Sequence, residues 1–199
     1  CWIETPAYRV LFDTGQGQAL LHNAHELGIP LETADAIVVS HGHYDHTGAL
    51  STVLDLAPTA RVFVHPAAFE AKYGRKPGGR VRNISMPGDR LAIPQRIVDR
   101  LVNTIAPVEV CSGIVVTGQI PRVHEMEDTG GPFYLDEGCR RRDPLVDDQA
   151  LIIRTGGGIV VILGCAHAGV INTLQYVEQL TAGAPVRAVL GGMHLGAAS

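Results

Sequence analysis

The sequence predicts a mixed α/β fold built as one domain, and three observations carry that expectation. Short β-prone apolar runs alternate with segments of helical period. The strands are joined both by a tight hairpin and by helical crossovers. Three of the apolar runs, ending at Ser40, Leu163 and Leu190, are each followed within a few residues by a histidine. Polar side chains at the ends of buried strands, along one edge of a sheet, can share one cleft.

Taken in order, residues 2–5 enter directly into strand-like sequence. Residues 8–12 are apolar and β-prone and end in Asp13-Thr14-Gly15, a turn signal. Residues 17–27 have helical spacing, with Ala19, Leu20, Ala24 and Leu27 facing inward and Gly28 and Pro30 closing the helix. The run Ala36-Ile37-Val38-Val39 reads as a buried strand ending at Ser40. Leu50, Val53, Leu54 and Ala57 then mark a helix that Pro58 terminates. Residues 61–65 form a strand, and residues 66–73 a short helix opened by Pro66.

From 72 to 82 the composition changes. Lys72, Arg75, Lys76, Arg80 and Arg82 are interleaved with Gly74, Pro77, Gly78 and Gly79. This predicts a flexible basic loop, solvated at the surface in the plainer reading and an anion-recruiting flap in the sharper one. Residues 108–110 and 113–116 are strands. Residues 119–143 form a long irregular section that includes Arg140, Arg141 and Arg142, and long loops in compact domains often carry function. Residues 150–154 and 159–163 make a hairpin across Thr155-Gly156-Gly157-Gly158. A helix comes next, with Val170, Ile171, Leu174, Val177 and Leu180 on one face, and residues 186–190 are a last strand.

Composition excludes several classes. The 199 residues are 46% hydrophobic and 18% charged, with a net charge of −4, so neither nucleic acid nor an anionic membrane is an expected partner. No apolar run approaches the roughly 20 residues that span a bilayer, and no signal-peptide pattern is seen. Cys1, Cys111, Cys139 and Cys165 form no CxxC pair, which argues against a disulfide framework or a zinc finger and fits a reducing, cytoplasmic setting. There is no internal repeat and no GxGxxG or Walker loop. The chain begins without Met, and its true start is expected upstream of Cys1.

The chemistry concentrates in Ser40-His41-Gly42-His43-Tyr44-Asp45-His46-Thr47-Gly48. One compact loop can aim His41 and His43 at one cation and Asp45 and His46 at another. Three histidines and an aspartate on one loop after an apolar strand would repel or lie unsatisfied without a metal. Two ligands per metal are too few, so His167 and His194 are the expected suppliers of more, with Cys165 a candidate thiolate or a small buried residue. Two metals roughly 3.5–4 Å apart would share a hydroxide and polarise a carbonyl or phosphoryl oxygen. Asp13 either caps its own turn or holds the free N–H of a ligand histidine. His22, His25, His65 and His124 read as ordinary surface or core histidines.

His41-Gly42-His43-Tyr44-Asp45-His46 resembles the HxHxDH signature of the metallo-β-lactamase fold superfamily, and Leu11-Phe12-Asp13-Thr14-Gly15 resembles its upstream Asp motif. Ser40 to Gly48, Gly164-Cys165-Ala166-His167-Ala168-Gly169, Gly191-Gly192-Met193-His194-Leu195 and Thr117-Gly118-Gln119-Ile120-Pro121-Arg122 are similar to the branch named for 7,8-dihydropterin-6-methyl-4-(β-D-ribofuranosyl)-aminobenzene-5′-phosphate synthase. The resemblance implies an αβ/βα four-layer sandwich with a metal cleft along one edge. It implies His41, His43 and His167 on a first metal and Asp45 and His46 on a second. Where many members carry a bridging Asp, this chain has Cys165, so Cys165 and His167 both remain candidates for that place. Members of this branch continue past the 191–195 string, so the chain is expected to be trimmed at both ends and its second metal site to be short of a ligand.

The expected function is a metal-dependent hydrolase using a metal-activated hydroxide at a dinuclear site, with Asp45 as the catalytic residue. The expected cofactor is zinc, two ions, with iron or manganese as alternatives. The expected substrate is a small phosphorylated pterin- or nucleotide-like molecule, with Arg122 and the 72–82 loop as phosphate partners. The alternatives are a synthase-type transferase, a di-iron redox protein and an inactive metal-binding fragment.

Overall fold

The computed structural model describes residues 1–89 and 91–194, so Leu195 and the expected continuation of the chain beyond it lie outside the described residues. The chain runs through β1 (Trp2–Glu4), β2 (Arg9–Phe12), α1 (Gln18–Glu26), β3 (Ala36–Val38), α2 (Tyr44–Thr47), α3 (Leu50–Leu56) and β4 (Arg61–Val64). Next come β5 (Tyr73–Arg75), β6 (Val81–Asn83), α4 (Ile93–Arg96), β7 (Leu101–Asn103), β8 (Val108–Cys111), β9 (Ile114–Val116) and β10 (Phe133–Tyr134). The last elements are β11 (Ala150–Thr155), β12 (Gly158–Leu163), α5 (Val170–Leu180) and β13 (Val186–Leu190).

Two five-stranded sheets organise these elements, in the orders β1-β2-β3-β4-β7 and β13-β12-β11-β9-β8. In the first, β2, β3, β4 and β7 are parallel, with Leu11 opposite Ile37 and Phe12 opposite Val38. In the second, only the β12–β13 pair is parallel. Side chains alternate across a strand, and here both faces are covered. Val10, Phe12, Ala36, Val38 and Phe63 point one way and meet Ile114, Val116, Leu151 and Ile162 of the second sheet. Leu11, Ile37, Val62 and Val64 point the other way, onto Ala24 of α1 and Leu50, Val53 and Leu54 of α3. Ile152, Val161 and Leu163 carry Val177 of α5 on the far side of the second sheet. The order is therefore helix, sheet, sheet, helix: the expected αβ/βα sandwich.

Two expectations are corrected. Residues 66–73 hold only a 3-10 turn over Pro66–Phe69, after which the chain enters β5. The basic stretch 72–82 is a β5–β6 hairpin that pairs with β10 in a small third sheet, rather than a flexible loop. Lys72 at its start is 1% exposed. Basic composition predicted solvent there, but two carboxylates from far along the chain draw that ammonium inside. Among the described residues no helix is long and apolar enough to cross a membrane.

Candidate metal centre

Strand β3 delivers the histidine loop straight from the core, and Ser40, His41 and His43 are all buried. Gln149 fastens the strand end, its backbone N–H donating to Ser40 O at 3.0 Å and its side-chain Nε2 to Val39 O at 2.7 Å. The amide of Gly42, between the two histidines, donates to Asp147 Oδ2 at 2.7 Å. A side chain at Gly42 would collide with the backbone of Ala68, and one at Gly164 with the side chain of Ser40, so the loop sits tight against both the 66–69 turn and the end of β12. Asp45 and His46 lie on α2, the single helical turn that starts after His43, while His167 comes from the turn after β12.

Hydrogen bonds fix how the imidazoles point. Asp13, in the left-handed region at φ 60°, accepts from Ser40 N–H at 2.7 Å through Oδ1. Its Oδ2 accepts from Ser40 Oγ at 2.7 Å and from His46 Nδ1 at 2.6 Å. With its hydroxyl proton on Asp13, Ser40 Oγ accepts from His41 Nδ1 at 2.9 Å. That leaves His41 Nε2 with a lone pair, 3.0 Å from His43 Nδ1, and two ring nitrogens at that distance share either a proton or a cation. His167 Nδ1 is 2.7 Å from the carbonyl oxygen of Thr129, which can only accept, so Nε2 is the free nitrogen.

The electrostatics favour neutral imidazoles at His41, His43 and His167, and a charged one at His46. Burial, reinforced by the neighbouring imidazoles, holds His41 well below the ordinary histidine range. Burial and the proximity of His167 lower His43 to about 2. Burial lowers His167 to about 4, although its bond to Thr129 works the other way. Burial also acts to lower His46, but the hydrogen bonds with Asp13 and Cys165 outweigh it and raise that group to about 10.

Three sets of side chains each bring one donor atom apiece to within 4.8 Å of one another: His41, His43 and His167; His41, His46 and Cys165; and Cys165, His167 and His194. The sets overlap, as they would around two adjacent cations. The fit to a metal rests on more than proximity. Nε2 of His167 is buried with no hydrogen-bond partner, and His41 Nε2 faces His43 Nδ1; a cation shared by these three nitrogens would satisfy them together. Ring centroids of His41 and His43 lie 4.9 and 5.0 Å from that of His167, so one ion can join the first loop to the second sheet.

The sequence-derived candidates fall into place unequally. His41, His43, His46, His167 and His194 converge, and Cys165 joins them with Sγ 3.2 Å from His46 Nε2. Asp45 stands at the margin, in none of the three sets, its carboxylate 3.9 Å from His46 Nε2 and its side chain 39% exposed. Asp13 lies behind His46 and Ser40 rather than merely capping its turn. Arg122 is placed away from the role expected of it. Its guanidinium donates to the carbonyls of His167 and, at 3.2 Å, of Leu145, so those bonds brace the turn that carries His167.

Several supporting residues escaped the sequence reading. Asp147 holds Gly42, while Asp148 accepts from Ala168 N–H at 2.7 Å. Glu127 reaches from the long 119–143 section to the amides of Ile171 and Asn172, both at 2.7 Å, and caps α5, whose own N-cap Gly169 has no side chain to do so. The same section supplies Thr129 to His167. The signal available was the density of acids at Asp143, Asp147 and Asp148, in a stretch otherwise read as connection.

Comparison with known proteins agrees with this geometry. A family model described as the metallo-beta-lactamase superfamily matches residues 2–171. "Uncharacterized protein MJ0448" of Methanocaldococcus jannaschii is 33% identical over 195 residues, covering 97% of this chain and 70% of that protein. The 7,8-dihydropterin-6-methyl-4-(beta-D-ribofuranosyl)-aminobenzene-5'-phosphate synthase of the same organism is 28% identical over 193 residues, covering 94% and 65%. Among solved structures, Tm1679, described as a metal-dependent hydrolase of the beta-lactamase superfamily, superposes with a TM-score of 0.74 at 29% identity over 96% of this chain and 68% of its own. The chain thus spans about two thirds of the length of these relatives.

Proposed function

This chain belongs to the metallo-beta-lactamase superfamily, and from that premise we infer that it is a metal-dependent hydrolase with a dinuclear centre, acting on a phosphorylated pterin- or nucleotide-like molecule. One observation carries the reading: imidazoles held neutral by burial arrive from two different sheets, within 4.8 Å of one another, with the buried Nε2 of His167 left unpartnered. His41, His43 and His167 would hold one ion. His46 and Cys165 would hold the other, with Asp45 beside them and His194 closing the far side. Imidazole, carboxylate and thiolate together suit zinc, which we assign ahead of iron or manganese. When bound, such ions polarise a substrate oxygen and lower the pKa of water.

The remaining work falls to the chain. Asp13 keeps the proton of His46 on Nδ1, and Thr129 keeps that of His167 on Nδ1, so both rings present Nε2 to the centre. Asp45, beside His46 on the wall of a cleft, offers a carboxylate open to solvent that can accept a proton at Oδ2. Arg122 holds the backbone of His167 in register with the loop. The four free cysteines fit a cytoplasmic setting.

A second reading, a synthase-type transferase, draws support from the 28% identical synthase. A panel of phosphodiesters and thioesters separates the two. A hydrolase releases product with water alone, and Asp45→Ala slows it by about a hundredfold. A transferase yields product only when an acceptor is added. Turnover that ignores Asp45→Ala removes Asp45 from the chemistry, and no turnover under either condition removes the enzyme reading.

A further inference from the structure

We propose that the hollow between the β5–β6 hairpin and α2 is a substrate subsite that seats a flat ring carrying a phosphate-like anion, with Arg82, Arg75 and Lys76 as the anion anchor. The proposal deepens the hydrolase reading and rests on it for the position of the reacting centre. The hollow is a cavity of about 190 Å³ lined by Tyr44, Gly74, Arg75, Lys76, Arg82 and Phe133, among others. That is smaller than the roughly 300 Å³ at which whole-ligand pockets begin, so it suits one part of a substrate whose remainder lies elsewhere.

The location says where that remainder goes. The Phe133 ring forms one wall of the hollow, and its centroid lies 5.1 Å from the rings of both His43 and His167. A group in the hollow therefore sits one aromatic ring away from the metal-ligand set. The hairpin is also built into the centre rather than laid over it. Tyr44 N–H donates to Ile84 O at 3.0 Å, and His43 bridges to Ser85, so the chain just past β6 is joined to the histidine loop through the backbone.

The charge is as local as the shape. The whole chain is acidic, at −4, yet residues 73–83 contain Arg75, Lys76, Arg80 and Arg82 and no acid. Among the described residues Arg75, Lys76 and Arg82 make no ion pair with a carboxylate, whereas Lys72 at the root of the hairpin makes two. The Arg82 guanidinium stands 4.5 Å over the Tyr44 ring, a contact that orients it without neutralising it. An oriented, unpaired guanidinium is suited to a two-point grip on phosphate. Tyr44, Phe133 and the bare backbone of Gly74 leave an apolar slot beside it. A Cβ on Gly74 would meet Ile84 and Phe133 in ordinary contact at 3.5–4.0 Å, so a side chain added there starts in the slot itself.

The test is calorimetric titration of the protein as purified with 5′-AMP, adenosine and inorganic phosphate. AMP is expected to bind at least about tenfold more tightly than either fragment, because the anchor and the slot act together. Arg82→Ala, at an exposed position, should weaken AMP about tenfold and leave adenosine unchanged. Gly74→Val should remove the advantage of AMP over phosphate. Bound metal, measured by elemental analysis, should stay at the wild-type level in both. AMP binding that fails to exceed phosphate, or that is the same in both variants as in the wild type, overturns the proposal. The two readings fail separately. Ester turnover with AMP binding untouched by Arg82→Ala discards the subsite alone. Intact AMP selectivity in a protein that cleaves no ester discards the hydrolase alone.

Discussion

Lys72 and Asp147 form a 2.9 Å ion pair in the interior, their side chains 1% and 0% exposed. Asp143 meets the same ammonium at 2.9 Å, and the other oxygen of Asp147 takes the amide of Gly42. A buried charge cluster thus fastens the basic hairpin to the loop that carries His41 and His43. Desolvation acts to lower Lys72, but Asp147 and Asp143 outweigh it and its pKa is raised.

Removing that ammonium strands two buried carboxylates. Lys72→Met is expected to lower global stability by about 3–5 kcal/mol, read from urea unfolding. Metal content should fall with it, because Asp147 then loses the partner that aims it at Gly42. A loss within about 0.5 kcal/mol, as for an ordinary surface change, would show that the cluster is not buried.

The metal itself is the second test. Purified protein should carry one to two equivalents of zinc, iron or manganese, on the order expected from the ligand count. His41→Ala/His43→Ala should carry almost none. Because an ion that binds only the folded chain stabilises it, chelation should lower the melting temperature of the wild type and leave the double variant where it was. Equal responses to chelator in the two proteins would sink the assignment.

Asp13 belongs to none of the candidate ligand sets, but it holds His46 directly and His41 through Ser40. Asp13→Asn keeps the left-handed backbone that asparagine tolerates and halves the acceptor capacity facing Ser40 and His46. Metal affinity, measured by competition with a coloured chelator, is expected to fall about 10- to 100-fold. Unchanged affinity would reduce Asp13 to a turn residue.

Asp148 gives a pH signature. Complete burial is the largest influence on it and raises its pKa from 3.8 to about 7. The folded chain therefore keeps a proton that the unfolded chain gives up, so the contribution of this group is fully present below pH 3.8 and is lost as pH rises through about 7. Asp148→Asn has no such proton. Between those limits the variant should gain on the wild type by up to about 1.4 kcal/mol per pH unit, and above them the gap should level off. The buried histidines, neutral in the fold, slope the other way in both proteins and cancel in the comparison. Unfolding curves that run parallel from pH 4 to 8 would contradict it.

What the sequence made legible was local. An apolar run before His41 marked β3, the spacing of Leu50, Val53 and Leu54 marked α3, and the glycines at 156–158 marked the β11–β12 turn, which the structure pairs in register from Ala150 opposite Leu163 to Thr155 opposite Gly158. The supports were illegible because their partners are remote. Lys72 meets acids 71 and 75 residues away, and Gly42 meets Asp147 at a separation of 105. No periodicity encodes such pairs, and a lysine among glycines has the composition of a surface. β10, two residues long, offers too little pattern to detect, yet it places Phe133 beside His43.

The close passage of Gly164 against Ser40 has a consequence for assembly. His41 and His43 belong to the half of the chain that forms one sheet, and His167 to the half that forms the other. Neither half alone presents His41, His43 and His167 together, so capture of the ion they would share must wait until the halves have docked. A chain docked even slightly wide, as an added methyl at residue 164 would enforce, could complete its sheets and still be refused the ion. Metal uptake would then act as a checkpoint on maturation, separating finished molecules from those that are merely compact.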